Sequence, residues 1–238
     1  MRARCLGGVS ENTDPDSAAT LARRRPIRAR DTRWAHAAAR ALTRAGLKPN
    51  QISVLSTGCA VLGACALVGA GRGATMGAGG RGTLLLLAGG FVQLRLLCNL
   101  LDGLVAVEGG LRTKTGEIYN ELPDRVSDVL FLAAAGYATF WTGWERDLGW
   151  AAAALAVMVA YVRALGGQMG ATQQFGGPMA KQQRMFTLTL ACITTAVETL
   201  AGWPPRTMTW ALALIVAGSA LTVARRTGRI ARELEARA

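Results

Sequence analysis

Six apolar runs, each near the length that crosses a bilayer, set the terms on which this chain can fold: Ile52 to Ala70, Thr83 to Val107, Ile118 to Trp141, Trp150 to Gly170, Met185 to Trp203 and Thr207 to Ala224. A spanning helix needs roughly 20 mostly apolar residues, because hydrocarbon offers no partner to an exposed amide. Hydrophobic residues make up 51% of the 238, and they are gathered into these runs instead of being spaced along amphipathic faces. The expectation is an all-α polytopic membrane protein, a six-transmembrane-helix bundle with an N-terminal amphipathic juxtamembrane helix.

The formal net charge of +12 could suit nucleic acid, but its distribution argues against that partner. Eleven Lys and Arg precede the first run and five follow the last; between runs, Arg112, Lys114, Lys181 and Arg184 fall in the second and fourth loops. The other loops hold Arg72 and Arg81, Arg146, and Arg206. Basic segments flanking apolar runs face anionic headgroups, and the positive-inside rule puts both termini in the cytoplasm of a cell-membrane protein. Trp141, Trp144, Trp150, Trp203 and Trp210 then fall at the outer ends of spans three to six, as an interfacial belt does.

The chain divides accordingly into a disordered basic tail over 1–30, a juxtamembrane helix over 31–48, a membrane domain over 49–224 and a basic cytoplasmic tail over 225–238. Within the juxtamembrane segment, Trp34, Ala38 and Leu42 share one helix face. The first twenty residues lack an apolar h-region, so they do not read as a secretory signal. Cys5, Cys59, Cys65, Cys98 and Cys192 form no CxxC pair and read as small hydrophobes. His36 is the single histidine, which leaves histidine-based metal sites and triads unsupported. The glycine-rich stretch from Gly71 has no preceding strand and no Walker lysine, and reads as a flexible connection.

Acidic groups within such a chain need a reason, since one Asp at the centre of a spanning helix costs roughly 2.5 to 3.5 kcal/mol. They concentrate between Asn99 and Asp128, in NLLDGLVAVEGGLRTKTGEIYNELPDRVSD. Residues three or four apart share a helix face, so Asn99 points with Asp102 and Asn120 with Asp124. Glu121 adjoins the second pair and Asp128 lies one turn beyond it. The hairpin topology brings the end of span two and the start of span three to one cytoplasmic depth. Oxygen ligands on two facing helices suit a hard cation, so Asn99, Asp102, Asn120, Asp124, Glu121 and Asp128 are candidate ligands for Mg2+ or Mn2+.

This segment resembles the signature of the CDP-alcohol phosphatidyltransferase family, D-x2-D-G-x2-A-R-x8-G-x3-D-x3-D. Asn99, Asp102, Gly103, Ala106, Val107, Gly116, Asn120 and Asp124 occupy its eight positions with the spacing intact. The preceding GLKPNQIS is similar to the family's TPNxLT, with Pro49, Asn50 and Ser53 in place. The resemblance implies a donor such as CDP-diacylglycerol, an alcohol acceptor whose hydroxyl attacks the donor phosphorus, and CMP as leaving group. It implies two divalent ions beneath the diphosphate, Asp124 as general base, and Gly103, Ala106, Gly116 and Asn50 against the CDP moiety. Asn99 and Asn120 each withdraw a charge from the signature and Val107 replaces its arginine; Glu121 and Asp128 are placed to restore charge. Dimerisation is common in the family, so a homodimer is an admissible assembly.

Lys181, Arg184 and Arg163 are candidates to hold a phosphate of acceptor or lipid. Arg95 lies inside span two with either snorkelling or an acidic partner open to it, and Glu198 either pairs with Arg206 or reaches the interface. Two other readings remain: a catalytically degenerate lipid- or nucleotide-binding scaffold of the same fold, motivated by Asn99, Asn120 and Val107, and an intramembrane prenyltransferase.

Overall fold

The computed structural model describes residues 32–72, 76–108, 116–139 and 142–237, without the side chains of Val107, Glu108, Glu117 and Asn120. The expected tail over 1–30, Cys5, Arg112, Lys114 and Trp141 lie outside the described residues, as do the contacts of Asn120 and Val107. The described residues are helical, with no strand: α1 (Arg33–Arg44), α2 (Pro49–Arg72), α3 (Gly77–Glu108), α4 (Gly116–Ala135), α5 (Glu145–Gln168), α6 (Lys181–Leu200) and α7 (Thr207–Glu235). Four of them, α2, α3, α5 and α7, are long and apolar enough to cross a membrane. The other two expected spans are α4 and α6, of 20 residues each. Both are diluted by polar groups: Glu121, Asp124, Arg125 and Asp128 in α4, and Lys181, Arg184 and several threonines in α6.

Helix α2 packs against α3 and α4, α3 against α6, α4 against α5, α5 against α7, and α6 against α7. The side chains at these contacts are small. Ala60, Ala64, Ala88, Ala134, Ala152, Ala156, Ala191, Ala196 and Ala211 belong to one buried cluster around Phe131, Leu67 and Leu212. Large apolar groups such as Leu55, Leu62, Leu87, Phe186, Val197 and Leu214 are exposed instead. In water this arrangement would forfeit most of the hydrophobic driving force. In lipid it is the stable one, since association there depends on close van der Waals packing. The α4–α5 contact shows how close that packing runs: a Cβ on Gly149 would stand 2.9 Å from both Gly136 Cα and Leu132 O.

Two terminal segments differ from the sequence reading. Helix α1 buries Ala35 and Ala39 against Ile52, Leu104 and Val105, while Trp34 is exposed. Leu42 of the expected face packs on this cluster, but in the first turns the buried positions sit one along from Trp34 and Ala38, because alanines can approach α3 and an indole cannot. The segment read as a C-terminal tail is helical through Glu235, and its Ile230 packs on Val162 and Ala171. Hydropathy ends the span at Ala224, but the Thr222, Arg226, Ile230 spacing keeps one face of α7 turned toward α5.

The helices alternate in direction, so Asp102, Asp124 and Lys181 gather at one end. At the opposite end the buried Glu145 accepts from the Thr142 and Gly143 amides at 2.8 Å each and from Thr209 Oγ1 at 2.8 Å. Glu198 caps α7 through Thr207, taking its amide at 3.1 Å and its hydroxyl at 2.6 Å. Trp144, Trp150, Trp203 and Trp210 are exposed at that end.

Candidate functional site

The site starts from the turn that opens α2. Pro49 and Asn50 begin the helix, and Ser53, one turn in, is buried against α3, where its hydroxyl donates to Asp102 Oδ2 at 2.7 Å. Asp102 is only 5% exposed, and its Oδ1 has no hydrogen-bond partner among the described residues. A buried carboxylate oxygen left unpaired is costly, so this atom is poised to bind something positive. Gly103 and Ala106 follow on α3 and Gly116 opens α4, each half-buried, as is Asn50.

Helix α4 carries Asp124 into the same cluster, and there its charge is met by protein cations. Arg95, fully buried on α3, bonds Asp124 Oδ1, and Lys181 at the start of α6 bonds Oδ2. Asn99 Nδ2 approaches Oδ2 at 3.5 Å and Arg125 Nη2 stands 3.9 Å from it. Arg95 therefore pairs with an acid and does not snorkel. Its Nε and Nη1 have no hydrogen-bond partner among the described residues, so two nitrogens of a buried guanidinium are left unused there. Asp124 and Lys181 both lie within electrostatic reach of Asp102.

The remaining acids turn elsewhere. Asp128, one turn past Asp124, pairs with Arg184 Nη2 at 2.8 Å, both side chains 1% exposed, and Arg184 Nη1 also donates to Met179 O at 3.3 Å. Glu121 faces outward to Arg163 at 2.6 Å and Arg125 at 3.0 Å. Arg163 stacks over Phe175, 5.6 Å from the ring centroid. So the structure brings Asn99, Asp102, Asp124 and Lys181 together, with Asp128–Arg184 as a second buried pair, whose Asp128 Oδ1 and Arg184 Nε have no partner among the described residues, and Glu121–Arg163 at the rim. Among the described residues no three His, Cys, Asp or Glu side chains converge as a metal-binding group. The described donor set is thus two carboxylates and an amide.

That set still fits one hard cation. Asp102 Oδ1 is buried and has no partner among the described residues, and Asn99 lies on the same face of α3, one turn away. Mg2+ and Mn2+ accept few protein ligands because they retain waters and take substrate phosphate oxygens. The residue that sequence reasoning missed is Arg226 of α7, nearly buried and bonded to three backbone carbonyls near this end of the bundle. The α7 periodicity places it on the inward face, but its carbonyl partners lie 50 to 67 positions away in the chain and carry no local signal.

No protein-family model and no curated protein matches the sequence. Solved structures do. The fold is similar to that of Mycobacterium tuberculosis phosphatidylinositol phosphate synthase with CDP-DAG bound, at 22% identity and a TM-score of 0.68, over 84% of this chain and 94% of that one. The same enzyme in complex with manganese and citrate matches at 21% and 0.67, over 82% and 88%, and its apo form at 21% and 0.62, over 79% and 91%. At this identity the likeness establishes the fold.

Proposed function

We propose that the protein is an integral membrane phosphotransferase of the CDP-alcohol phosphatidyltransferase type, which moves a phosphatidyl group from CDP-diacylglycerol to an alcohol and releases CMP. The observation that carries this reading is the meeting of the two halves of the signature, where Asn99 Nδ2 approaches Asp124 Oδ2 at 3.5 Å, within a fold shared along nearly the whole length of a CDP-DAG-binding enzyme. Six helices cross the membrane in this reading, with both termini cytoplasmic. Helices α4 and α6 tolerate their charges because Asp124, Asp128, Lys181 and Arg184 neutralise one another inside the bundle.

A divalent cation, Mg2+ or Mn2+, would be held by Asp102 and Asn99, with Asn120 and Asp124 alongside, and when bound would neutralise charge on the donor diphosphate. The chain's own residues account for the rest. Arg95, with two unused donors, and Lys181 present fixed positive charge to the phosphates. Gly103, Ala106 and Gly116 keep α3 and the start of α4 free of bulk where the nucleotide lies, with Asn50 beside them. Asp124 is the base for the acceptor hydroxyl, and one of its oxygens must first be released. Lys181, moving from Asp124 Oδ2 to a donor phosphate, frees that oxygen to take the proton. Arg163 and Glu121 at the rim are placed for a phosphate or hydroxyl of the acceptor.

Purified protein with labelled CDP-diacylglycerol and a panel of alcohols should release CMP in a metal-dependent way, and Asp124→Ala should not. CMP release that ignores chelators, or none with any donor and acceptor, would overturn the reading. Binding of CDP-diacylglycerol without turnover would favour the scaffold alternative motivated by Asn99, Asn120 and Val107.

A further inference from the structure

The connection between α5 and α6, residues 169–180, leads directly into Lys181, the first residue of α6, yet the N-cap residue Ala180 supplies no side-chain cap. The first turn of a helix leaves its amides without intrahelical partners, so its placement here depends on what anchors the preceding chain. That anchor is α7. The buried Arg226 donates from Nε to Gly176 O at 3.0 Å, from Nη2 to Phe175 O at 3.1 Å and from Nη1 to Val159 O at 2.9 Å. One planar fork thereby ties α7 to α5 and to the connection, a geometry that a lysine ammonium cannot reproduce.

Other contacts fix the same strap along α7. The Met179 amide donates to Thr222 Oγ1 at 3.1 Å. Thr172 donates to Glu233 from its amide at 2.9 Å and its hydroxyl at 2.6 Å, and Arg237 donates to Gly170 O at 2.6 Å. Gly177, at φ +148, has no room for a side chain, since a Cβ would stand 2.4 Å from Thr222 Cγ2. Phe175, whose carbonyl Arg226 holds, presents its ring to Arg163 and so reaches the Glu121 pair.

We propose that Arg226 is a positioning residue: by holding Phe175 and Gly176 onto α7 it sets the first turn of α6 and so places Lys181 on Asp124. Its catalytic consequence rests on the phosphotransfer reading, while its structural consequence does not. Two measurements on the full chain in detergent micelles separate these. By hydrogen exchange, Arg226→Gln should speed exchange of the amides from Met179 to Phe186 at least tenfold and leave α2, α3 and α4 unchanged. Thr222→Val, which removes the Met179 anchor and, within α7, the hydroxyl's own bond to Gly218 O, should do the same at smaller amplitude and serves where Arg226→Gln does not fold. Exchange confined to residues 171–177, or raised throughout the bundle, overturns the proposal.

In CMP release, Arg226→Gln should lower turnover about tenfold, whereas adding it to Lys181→Gln should lower it less than twofold further. A residue acting through Lys181 has nothing left to position once the ammonium is gone, whereas independent sites multiply. A full tenfold loss in the Lys181→Gln background overturns the proposal. If the unaltered protein releases no CMP from any donor, the phosphotransfer reading fails and the exchange result alone decides the strap.

Discussion

Asp124 meets Arg95 through one oxygen and Lys181 through the other, so its chemistry cannot be separated from theirs. General bases contribute about 10²–10⁴-fold to rate, and Asp124→Asn is expected to lose activity within that range while still binding CDP-diacylglycerol. Residual turnover within threefold of the unaltered protein would remove Asp124 from the mechanism. Ser53 acts one step back, orienting Asp102 through its 2.7 Å bond. Partners that orient a metal ligand typically set 10- to 100-fold in affinity, so Ser53→Ala should raise the Mn2+ concentration for half-maximal CMP release by about that factor. An unchanged Mn2+ titration would mean that Asp102 does not hold the ion. Both aspartates are legible in the sequence by motif spacing, and Ser53 by the resemblance of GLKPNQIS. The pairing of Arg95 and Lys181 with Asp124 is not, because it joins residues from α3, α4 and α6.

At the scale of elements, α4 and α6 are held together by Asp128 and Arg184, a pair almost without exposure. Removing one partner of such a pair strands a buried charge and costs about 3–5 kcal/mol, whereas replacing both with apolar groups is often neutral. Arg184→Met should therefore lower the midpoint of unfolding in mixed detergent, and Asp128→Leu combined with Arg184→Met should recover most of the loss. A midpoint unmoved by Arg184→Met would show that the pair carries no stability. The same scale explains why α1 and the end of α7 depart from their sequence reading. Hydropathy and the moment of a short helix register which residues are apolar, but not that Ala35 and Ala39 fit against α3 where Trp34 does not.

For the whole molecule the six-span reading predicts that α4 and α6 cross the membrane with the four more apolar helices. Topology mapping tests it, because on that reading Trp144 lies at the outer face and the chain reaches it only if α4 crosses. In a cysteine-free background, single cysteines at Trp144 and Trp203 should react with a membrane-impermeant maleimide in intact cells, and one at Ala236 only after permeabilisation. Protection of the Trp144 position in intact cells would reduce the bundle to fewer spans. Six crossings are consistent with a core in which alanines pack among a few large side chains such as Phe131 and Leu67, under a surface rich in leucine and valine, an arrangement that lipid on the outside stabilises.

Apolar runs of bilayer length determined an all-helical membrane-type chain, and spacing between Asn99 and Asp124 determined which helices would have to meet. Both are one-dimensional properties, written in hydropathy and in the helical repeat. What the tertiary structure decided is how the charges resolve: Asp128 paired with Arg184, Glu121 turned to the rim, Asp124 shared between Arg95 and Lys181, and Asp102 held by Ser53 without a cation of its own among the described residues. Which cation satisfies which acid depends on distances between helices far apart in the chain, and in a low-dielectric interior a few ångströms separate a satisfied charge from a costly one. Arg226 belongs to the same category, since nothing in its neighbours along the sequence announces the carbonyls of Val159, Phe175 and Gly176 that surround it.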